Sequence, residues 1–264
     1  MVNNEKSERF THYRRFHLPF TINYHLPLIT MCGRASQEEV DEYFERVYGW
    51  EMPEGFQVRR NLRPTEEAFI VAHLPETKEV KTVTANWWCQ WDGAYQFEAK
   101  FPAFNIRVDG MDDKKLWSPL LKKGKRCVFP IDAFYEWPVK GRGIPPVKIF
   151  VGDRKPYGIA GLWSTWFEKN EPRYSFATFT VPPNDFMIPI HPQAMPVILD
   201  SPEAQKLWLL EGDRDLLVPY EGEMVADQMP DTLEKLYPEE NVPKKETKKE
   251  EPPPPTDPQG SLFG

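Results

Sequence analysis

Short apolar and aromatic runs, divided by turn-forming residues, limit this chain to a fold built largely from strands. Four of the clearest runs cover residues 68–72, 128–134, 159–163 and 176–181. Runs of this length match strands rather than helices, and the Gly, Pro and Asn residues between them favour turns. The sequence therefore predicts a β-rich core.

Helical patterns are fewer. Residues 37–47 carry acidic side chains near their start, residues 114–122 form a short segment, and residues 202–210 follow Ser201, a favoured N-cap. Together with the predicted strands, these segments indicate a mixed α+β fold. At 264 residues, the chain is long enough for one sizeable domain with tails.

Composition divides the chain into four parts. Residues 1–30 lack the continuous apolar run of a secretory signal, and we interpret them as a leader that is untranslated or removed, with a disordered arm as the alternative. The folded domain is predicted to cover residues 31–237. Residues 238–258 are rich in charge and proline and predict a disordered linker, and residues 259–264 form a partly apolar tip.

Cysteine, histidine and hydropathy patterns exclude several classes of protein. Cys32, Cys89 and Cys127 cannot form a paired disulfide framework, and their spacing matches no zinc motif. His73 and His191 are isolated, so we expect no metal ion, and no other cofactor is predicted. The sequence has no run of about 18 apolar residues, which excludes a membrane-spanning helix.

Charge is distributed unevenly. The whole chain has a formal net charge of −7, yet residues 100–126 contain eight Lys or Arg and three Asp. A DNA-binding groove needs only a local positive field, so an acidic protein of this kind can still bind nucleic acid. A solvated charged face explains the same stretch equally well.

Polar groups suited to catalysis are concentrated in four segments. These segments are Met-Cys-Gly-Arg at 31–34, Phe-Asn-Ile-Arg-Val-Asp at 104–109, residues 126–137, and residues 190–199. They supply the thiol of Cys32, the amide of Asn105, the carboxylate of Glu136 and the imidazole of His191. A nucleophile with a carboxylate and an imidazole is a workable acid–base set.

In this order and spacing, the four segments resemble the SOS-response-associated peptidase (SRAP) family, also called abasic-site processing proteins. Weaker matches lie between them: Asn-Leu-Arg-Pro-Thr at 61–65, Ala-Gly-Leu-Trp at 160–163, and Thr180 with Asn184. The resemblance covers residues 31–217. It implies a single α+β domain with a barrel-like, mostly antiparallel core and a few peripheral helices.

The family's activity explains why Cys32 stands at the start of the domain. An opened abasic deoxyribose carries an aldehyde, which an N-terminal cysteine captures first as an imine and then as a thiazolidine ring. The unperturbed pKa of an α-amine, about 7.7–8.0, leaves much of it neutral at physiological pH. An internal Cys32, acylated by Met31, cannot form the imine, so we predict that the mature protein begins at Cys32. A buried, inert thiol is the alternative.

The resemblance assigns the other catalytic roles in this lyase-like crosslinking reaction. Glu136 acts as the acid or base, because desolvation in Phe-Tyr-Glu-Trp favours its neutral form; a pair with Arg107 or Arg126 is the alternative. Asn105 orients the opened sugar or the attacking amine. His191 is implicated in opening the sugar ring and in reversing the crosslink.

DNA contacts are implied for five residues. Arg34 and Arg107 offer guanidinium forks for phosphates. Asn61 and Pro64 belong to the family's turn motif. Trp87 lies in an aromatic segment that either stacks on unpaired bases or belongs to the core.

The C-terminal tip predicts a protein partner. Gln259, Leu262 and Phe263 belong to a stretch that matches the bacterial sliding-clamp-binding pentapeptide, Gln-Leu-Ser/Asp-Leu-Phe, at four of five positions. A linker-borne anchor would concentrate the protein at replication forks. The predicted partners are single-stranded DNA with abasic sites and this clamp, for a monomer in the cytoplasm and nucleoid of a bacterial or phage-infected cell. A frayed terminus is the alternative.

Two other functions remain open. The same acid–base set would suit a thiol peptidase that releases its own leader at the 30–31 or 31–32 bond. A DNA- or clamp-binding adaptor without catalysis is the second, because the chain departs from the family's pattern at Trp88, Asp109 and Ala194, where an Arg normally stands.

Overall fold

Strands dominate the structure. The computed structural model describes residues 33–53, 55–98, 103–138 and 143–241. The strands are β1 (Ala35–Gln37), β2 (Arg59–Leu62), β3 (Glu67–Leu74), β4 (Glu79–Asn86), β5 (Asn105–Arg107), β6 (Arg126–Ile131), β7 (Ala133–Glu136), β8 (Val147–Val151), β9 (Tyr157–Glu168), β10 (Glu171–Val181), β11 (Met195–Pro196), β12 (Ile198–Leu199) and β13 (Met224–Gln228). The α-helices are α1 (Val40–Tyr48), α2 (Trp117–Lys123), α3 (Pro202–Leu210) and α4 (Leu233–Leu236), with 3₁₀ turns at Met111–Asp113, Arg214–Leu216 and Pro238–Asn241.

The strands form two sheets. The smaller has the order β13-β8-β7-β1-β2, and the larger has the order β11-β10-β4-β3-β6-β9-β12, with β5 alongside β10. Because β9 also pairs with β10, strands β10, β4, β3, β6 and β9 close into a barrel-like ring. Among the described strands, all pairs are antiparallel except those of β10 with β4 and β5. The predicted α+β class with a barrel-like, mostly antiparallel core is confirmed.

The apolar runs that predicted the core all lie in strands. Three of them fall in β3, β9 and β10, and the fourth spans β6 and β7 with a break at Asp132. Phe129 on β6 and Phe176 on β10 are fully buried with ring centroids 5.0 Å apart. Burial of such large apolar side chains is what holds the barrel closed.

The sequence predicts the first residue of one helix correctly and that of another incorrectly. Helix α3 begins as predicted, since the Ser201 hydroxyl accepts a 3.2 Å hydrogen bond from the Ala204 N–H. The prediction of a helix from residue 37 is wrong at its start, because residues 35–37 form β1 instead. The buried side chain of Gln37 donates to the carbonyls of Phe69 and Pro130 at 2.8 and 2.7 Å. These tertiary bonds outweigh the local helical pattern.

The chain crosses from the larger sheet to the smaller between β6 and β7. Asp132 marks the crossing, and its carboxylate accepts a 2.7 Å hydrogen bond from the Glu38 backbone N–H. Lys148 Nζ lies 3.4 Å from the same carboxylate. The crossing fixes β1 against β7, so that residues 34–36, which follow the first motif, run beside residues 133–135 of the motif at 126–137.

Part of what the sequence predicts falls outside the described residues. This part comprises the leader, Cys32, the tail at 259–264 and nearly all of the predicted linker. The turn Pro238–Asn241 lies beyond the domain boundary predicted at 237, and Glu240 within it bonds to β2. Within the described ranges, no helix is long and apolar enough to cross a membrane. The same ranges contain no group of three His, Cys, Asp or Glu arranged to hold a metal ion.

Candidate functional site

Glu136 ends β7 beside the segment that follows Cys32. Ala35 pairs with Phe134 across β1 and β7, and the Tyr135 N–H donates a 3.0 Å hydrogen bond to the Arg34 carbonyl. Cys32 is separated from Arg34 only by Gly33, and each peptide link spans about 3.8 Å between Cα atoms. The sheet pairing therefore brings the chain next to Cys32 close to the strand that carries Glu136.

Glu136 is buried, as its aromatic surroundings predict. Only 5% of the residue is exposed, and Tyr135 before it is fully buried. The alternative pair with Arg126 is disfavoured, because Arg126 donates to the carbonyls of Leu209 and Leu210 at the end of α3. A carboxyl group held in this setting is suited to proton transfer.

Arg34 is held by three neighbours. One guanidinium nitrogen donates to Asn61 Oδ1 at 2.6 Å and to Glu234 Oε1 at 3.0 Å. The guanidinium also lies 5.7 Å from the centre of the Trp137 ring. Asn61 itself is completely buried. The side chain of Asn61 therefore positions Arg34, and the DNA contact predicted for Asn61 stays a prediction.

The motif at 61–65 forms a strained turn. The Glu66 N–H donates to the Arg63 carbonyl at 3.1 Å, with Pro64 and Thr65 between them. Thr65 has a φ of +77°, a region that favours glycine and is unfavourable for a β-branched residue. Its N–H donates to the Trp87 carbonyl at 3.0 Å. Backbone strain maintained by surrounding contacts is typical of ligand-binding turns.

Trp87 belongs to the core. It is 3% exposed, its indole N–H donates to the Phe104 carbonyl at 3.2 Å, and its ring lies 5.1 Å from that of Phe129. The base-stacking role predicted for Trp87 is therefore corrected, because a ring enclosed on all sides cannot reach a nucleotide. Trp91 and Tyr95 in the same region are exposed, but the sequence motifs do not distinguish them from core aromatics.

Asn105 and Arg107 lie on β5, along one edge of β10. Asn105 pairs in parallel register with Thr178, whose hydroxyl donates to Asn105 Oδ1 at 3.0 Å. Arg107 pairs with Thr180 and is exposed. Residues two apart on a strand share a face, so the amide and the guanidinium point the same way. An exposed guanidinium at this position can meet a phosphate.

His191 lies in the loop before β11. Its Nδ1 is 3.0 Å from the Ala194 carbonyl, which can only accept, so Nδ1 carries the hydrogen. In the neutral ring, Nε2 then presents a lone pair suited to a general base. β11 places Pro196 opposite Thr180, the same residue that pairs with Arg107. Ala194 is buried, so the phosphate contact of the family's usual Arg is not replaced at this position.

The predicted site residues thus form two groups. Along β1, β2 and β7 of the smaller sheet lie Arg34, Asn61 and Glu136. Along β10 of the larger sheet lie Asn105, Arg107 and His191, held through contacts with Thr178, Thr180 and Ala194. Each group combines an arginine, a residue type that can bind phosphate, with a group able to transfer protons.

The other two cysteines are structural, as predicted. Cys89 and Cys127 are buried in the core. Burial raises the pKa of the Cys89 thiol to about 12, and it raises the pKa of the Cys127 thiol well above its ordinary value. A buried thiol that stays protonated is a poor nucleophile. Any thiol chemistry of this chain therefore depends on Cys32.

Comparison with known proteins identifies the family to which the chain belongs. The family model described as "SOS response associated peptidase (SRAP)" matches residues 31–235. The chain therefore belongs to the SRAP family. The match begins at the residue before Cys32 and includes both groups of site residues.

Particular relatives are named for one activity. The chain is 27% identical over 213 residues to abasic site processing protein YoaM of Bacillus subtilis, covering 73% of this chain and 88% of that protein. It is 32% identical over 130 residues to abasic site processing protein HMCES of Gallus gallus, covering 42% and 38%. A crystal structure from Bordetella bronchiseptica superposes with a TM-score of 0.61 at 20% identity, covering 75% of this chain and 99% of that one. A second, from Bacteroides thetaiotaomicron, gives 0.52 at 21%, covering 76% and 90%. These structures share the fold.

Proposed function

We propose that this protein binds abasic sites in single-stranded DNA and becomes covalently linked to them through Cys32. The observation that carries the proposal is the pairing of β1 with β7, which brings the chain next to Cys32 alongside the buried Glu136. The names of the relatives supply the lesion, and the burial of Cys89 and Cys127 leaves Cys32 as the reactive thiol.

The chemistry needs one amine, one thiol and proton transfer. The α-amine of Cys32 attacks C1′ of the opened sugar, and the resulting carbinolamine loses water to give an imine. The thiol sulfur then adds to the same carbon, its proton passes to the nitrogen, and the five-membered ring closes. One water is released overall. Glu136 and His191 are the groups we assign to the proton transfers, with Asn105 orienting the sugar.

We assign the contacts with the DNA backbone to two arginines. Arg107 is exposed on β5, and Arg34 is held near Cys32 by Asn61. Guanidinium groups bind phosphate oxygens in a bidentate manner, which orients as well as attracts the strand. These contacts would set the lesion between the two groups of residues.

Replacing Glu136 with glutamine is expected to slow adduct formation by about 100-fold or more, the usual effect of losing a general acid or base. The assay follows the heat-stable protein–DNA band formed with an abasic oligonucleotide on a denaturing gel. The same oligonucleotide reduced with borohydride has no aldehyde and must give no band. Glu171→Gln, an exposed carboxylate at the start of β10, is the matched control. A Glu136→Gln protein that is folded and reacts at the wild-type rate would remove Glu136 from the mechanism.

We propose that the tail, residues 259–264, binds a bacterial sliding clamp. Leu262 and Phe263 would fill an apolar pocket of the clamp while Gln259 bonds at its edge, tethering a monomer to nucleoid-associated replication forks. A peptide covering residues 257–264 should bind a bacterial clamp with micromolar or weaker affinity, and alanine at both 262 and 263 should abolish binding. A wild-type peptide without binding at high micromolar concentration would refute the tether.

A further inference from the structure

The end of the domain folds back across the edge of the smaller sheet. Residues 232–241, which we call the acidic clasp, contain α4 and the turn Pro238–Asn241. Glu234 of the clasp accepts from Arg34 at 3.0 Å. Glu240 accepts from the backbone N–H groups of Arg60 and Asn61 at 2.8 and 2.9 Å. Two carboxylates of the clasp thus meet the strands that carry the family's DNA-binding motifs.

The Glu240 carboxylate lies in an anion-binding site. Its oxygens meet two successive backbone N–H groups and, at 3.2 Å, the Nε of Arg59. The side chain of Glu240 is only 9% exposed. Successive N–H groups aimed at one point, supported by a guanidinium, form a concavity that binds anions. The three donors belong to β2, whereas the anion comes from the end of the domain.

A bulge in β2 creates this site. Ala35 pairs with Leu62 and Gln37 pairs with Arg59, so β2 uses one more residue than β1 between the two pairs. The extra residue lies at Arg60 or Asn61, whose N–H groups both bind Glu240. A bulge disrupts the regular ladder at the edge of a sheet and often re-aims groups next to an active site. The site therefore depends on the register of β1 and β2.

We propose that this site on β2 binds a phosphodiester of the DNA strand, and that Glu240 occupies it until DNA displaces the clasp. A phosphodiester and a carboxylate both carry one negative charge and accept hydrogen bonds from the same donors. The inference rests on the proposed function for the identity of the ligand as DNA. It adds a phosphate site that the sequence motifs do not indicate, and a competitor built into the chain.

Charge supports competition between clasp and DNA. Four arginines form a stripe along β1, β2 and the following turn: Arg34, Arg59, Arg60 and Arg63. Glu66 pairs with Arg59 and Arg63, and Glu38 pairs with Arg60. Without the clasp, the stripe has an excess of two positive charges. The clasp places three carboxylates on the stripe, those of Glu234, Glu239 and Glu240, while the one lysine of the clasp pairs with Asp231 instead. The three carboxylates leave the stripe with one excess negative charge, which repels a DNA backbone.

The site also borders a cleft. Glu240 and Arg59 line a cleft of about 860 Å³, together with Thr65 of the strained turn and Asn86. Release of Glu240 would expose the β2 donors to this cleft. The match to the family model ends at residue 235, five residues before Glu240.

The first test measures binding of a lesion-free single-stranded oligonucleotide to the full chain across a range of NaCl concentrations, by fluorescence anisotropy. Glu240→Gln removes the charge from the site and should bind several-fold more tightly at low salt. Each added phosphate contact steepens the plot of log affinity against log salt by about 0.7 for a single strand. Glu239→Gln is the matched control for the loss of one clasp charge: Glu239 is 61% exposed and lies 3.9 Å from Arg60, so its removal weakens the repulsion without opening the β2 donors and should increase affinity less than Glu240→Gln does. Equal affinity and slope in the two variants would overturn the proposal.

The second test examines the anion site without DNA. Glu240→Ala leaves the two β2 N–H groups open, so sodium phosphate should raise the melting temperature of this variant more than sodium chloride of equal ionic strength does. In the wild-type protein the same comparison measures only the general stabilisation that phosphate gives as an excluded salt. If the difference between the two salts is no larger in Glu240→Ala than in the wild-type protein, Glu240 is only a structural end-cap. A protein that shows this phosphate effect but forms no adduct with abasic DNA would refute the proposed function and leave the anion site standing.

Discussion

Replacing Cys32 with alanine is expected to abolish the heat-stable adduct with an abasic oligonucleotide. The α-amine of the variant can still form an imine, but without the thiol sulfur the ring cannot close, and an imine hydrolyses on denaturation. Non-covalent binding to DNA should be retained, since Arg34 and Arg107 are unchanged. Gel analysis after heating separates the two effects.

Cys89→Ala is the matched control for the loss of a thiol. Cys89 is buried and stays protonated, so this variant should form the adduct at the wild-type rate once its fold has been verified. Cys32→Ser provides a second control, because it retains an oxygen at the position of the sulfur but closes a ring far less readily. A heat-stable adduct in Cys32→Ala would exclude the thiazolidine.

Retention of residues 1–31 is expected to abolish the adduct as completely as the loss of the thiol. When Met31 acylates Cys32, the nitrogen belongs to an amide, which is not nucleophilic and cannot form an imine. A protein expressed from Met31, with that methionine removed, should react, whereas one with an uncleaved leader should not. If the longer protein reacts only after its leader is released, the self-processing alternative gains support.

Local patterns predicted the elements that local interactions determine. The apolar runs in β3, β9 and β10 need only burial, and α3 begins where Ser201 caps it. Gln37, the last residue of β1, was predicted as the start of a helix because its strand conformation depends on bonds to two distant backbone carbonyls. No pattern within a few residues contains that information.

For the candidate site too, local sequence indicates some residues, whereas the roles of others depend on tertiary contacts. Residue types and motif order indicated Glu136 and His191, but whether an aromatic residue such as Trp87 stacks on DNA or fills the core depends on its tertiary neighbours. The bonds from Glu240 to β2 join residues about 180 positions apart, and neither partner has a distinctive local sequence. Only the folded chain reveals the acidic clasp.

The mass of the purified adduct tests the central claim most directly. Protein expressed from its native gene is reacted with an abasic oligonucleotide of known mass, and the intact adduct is measured by mass spectrometry. We predict the mass of residues 32–264 plus that of the oligonucleotide, less one water, with the modification on the peptide that begins at Cys32. An adduct that still contains residues 1–30, or one attached at another residue, would contradict the account.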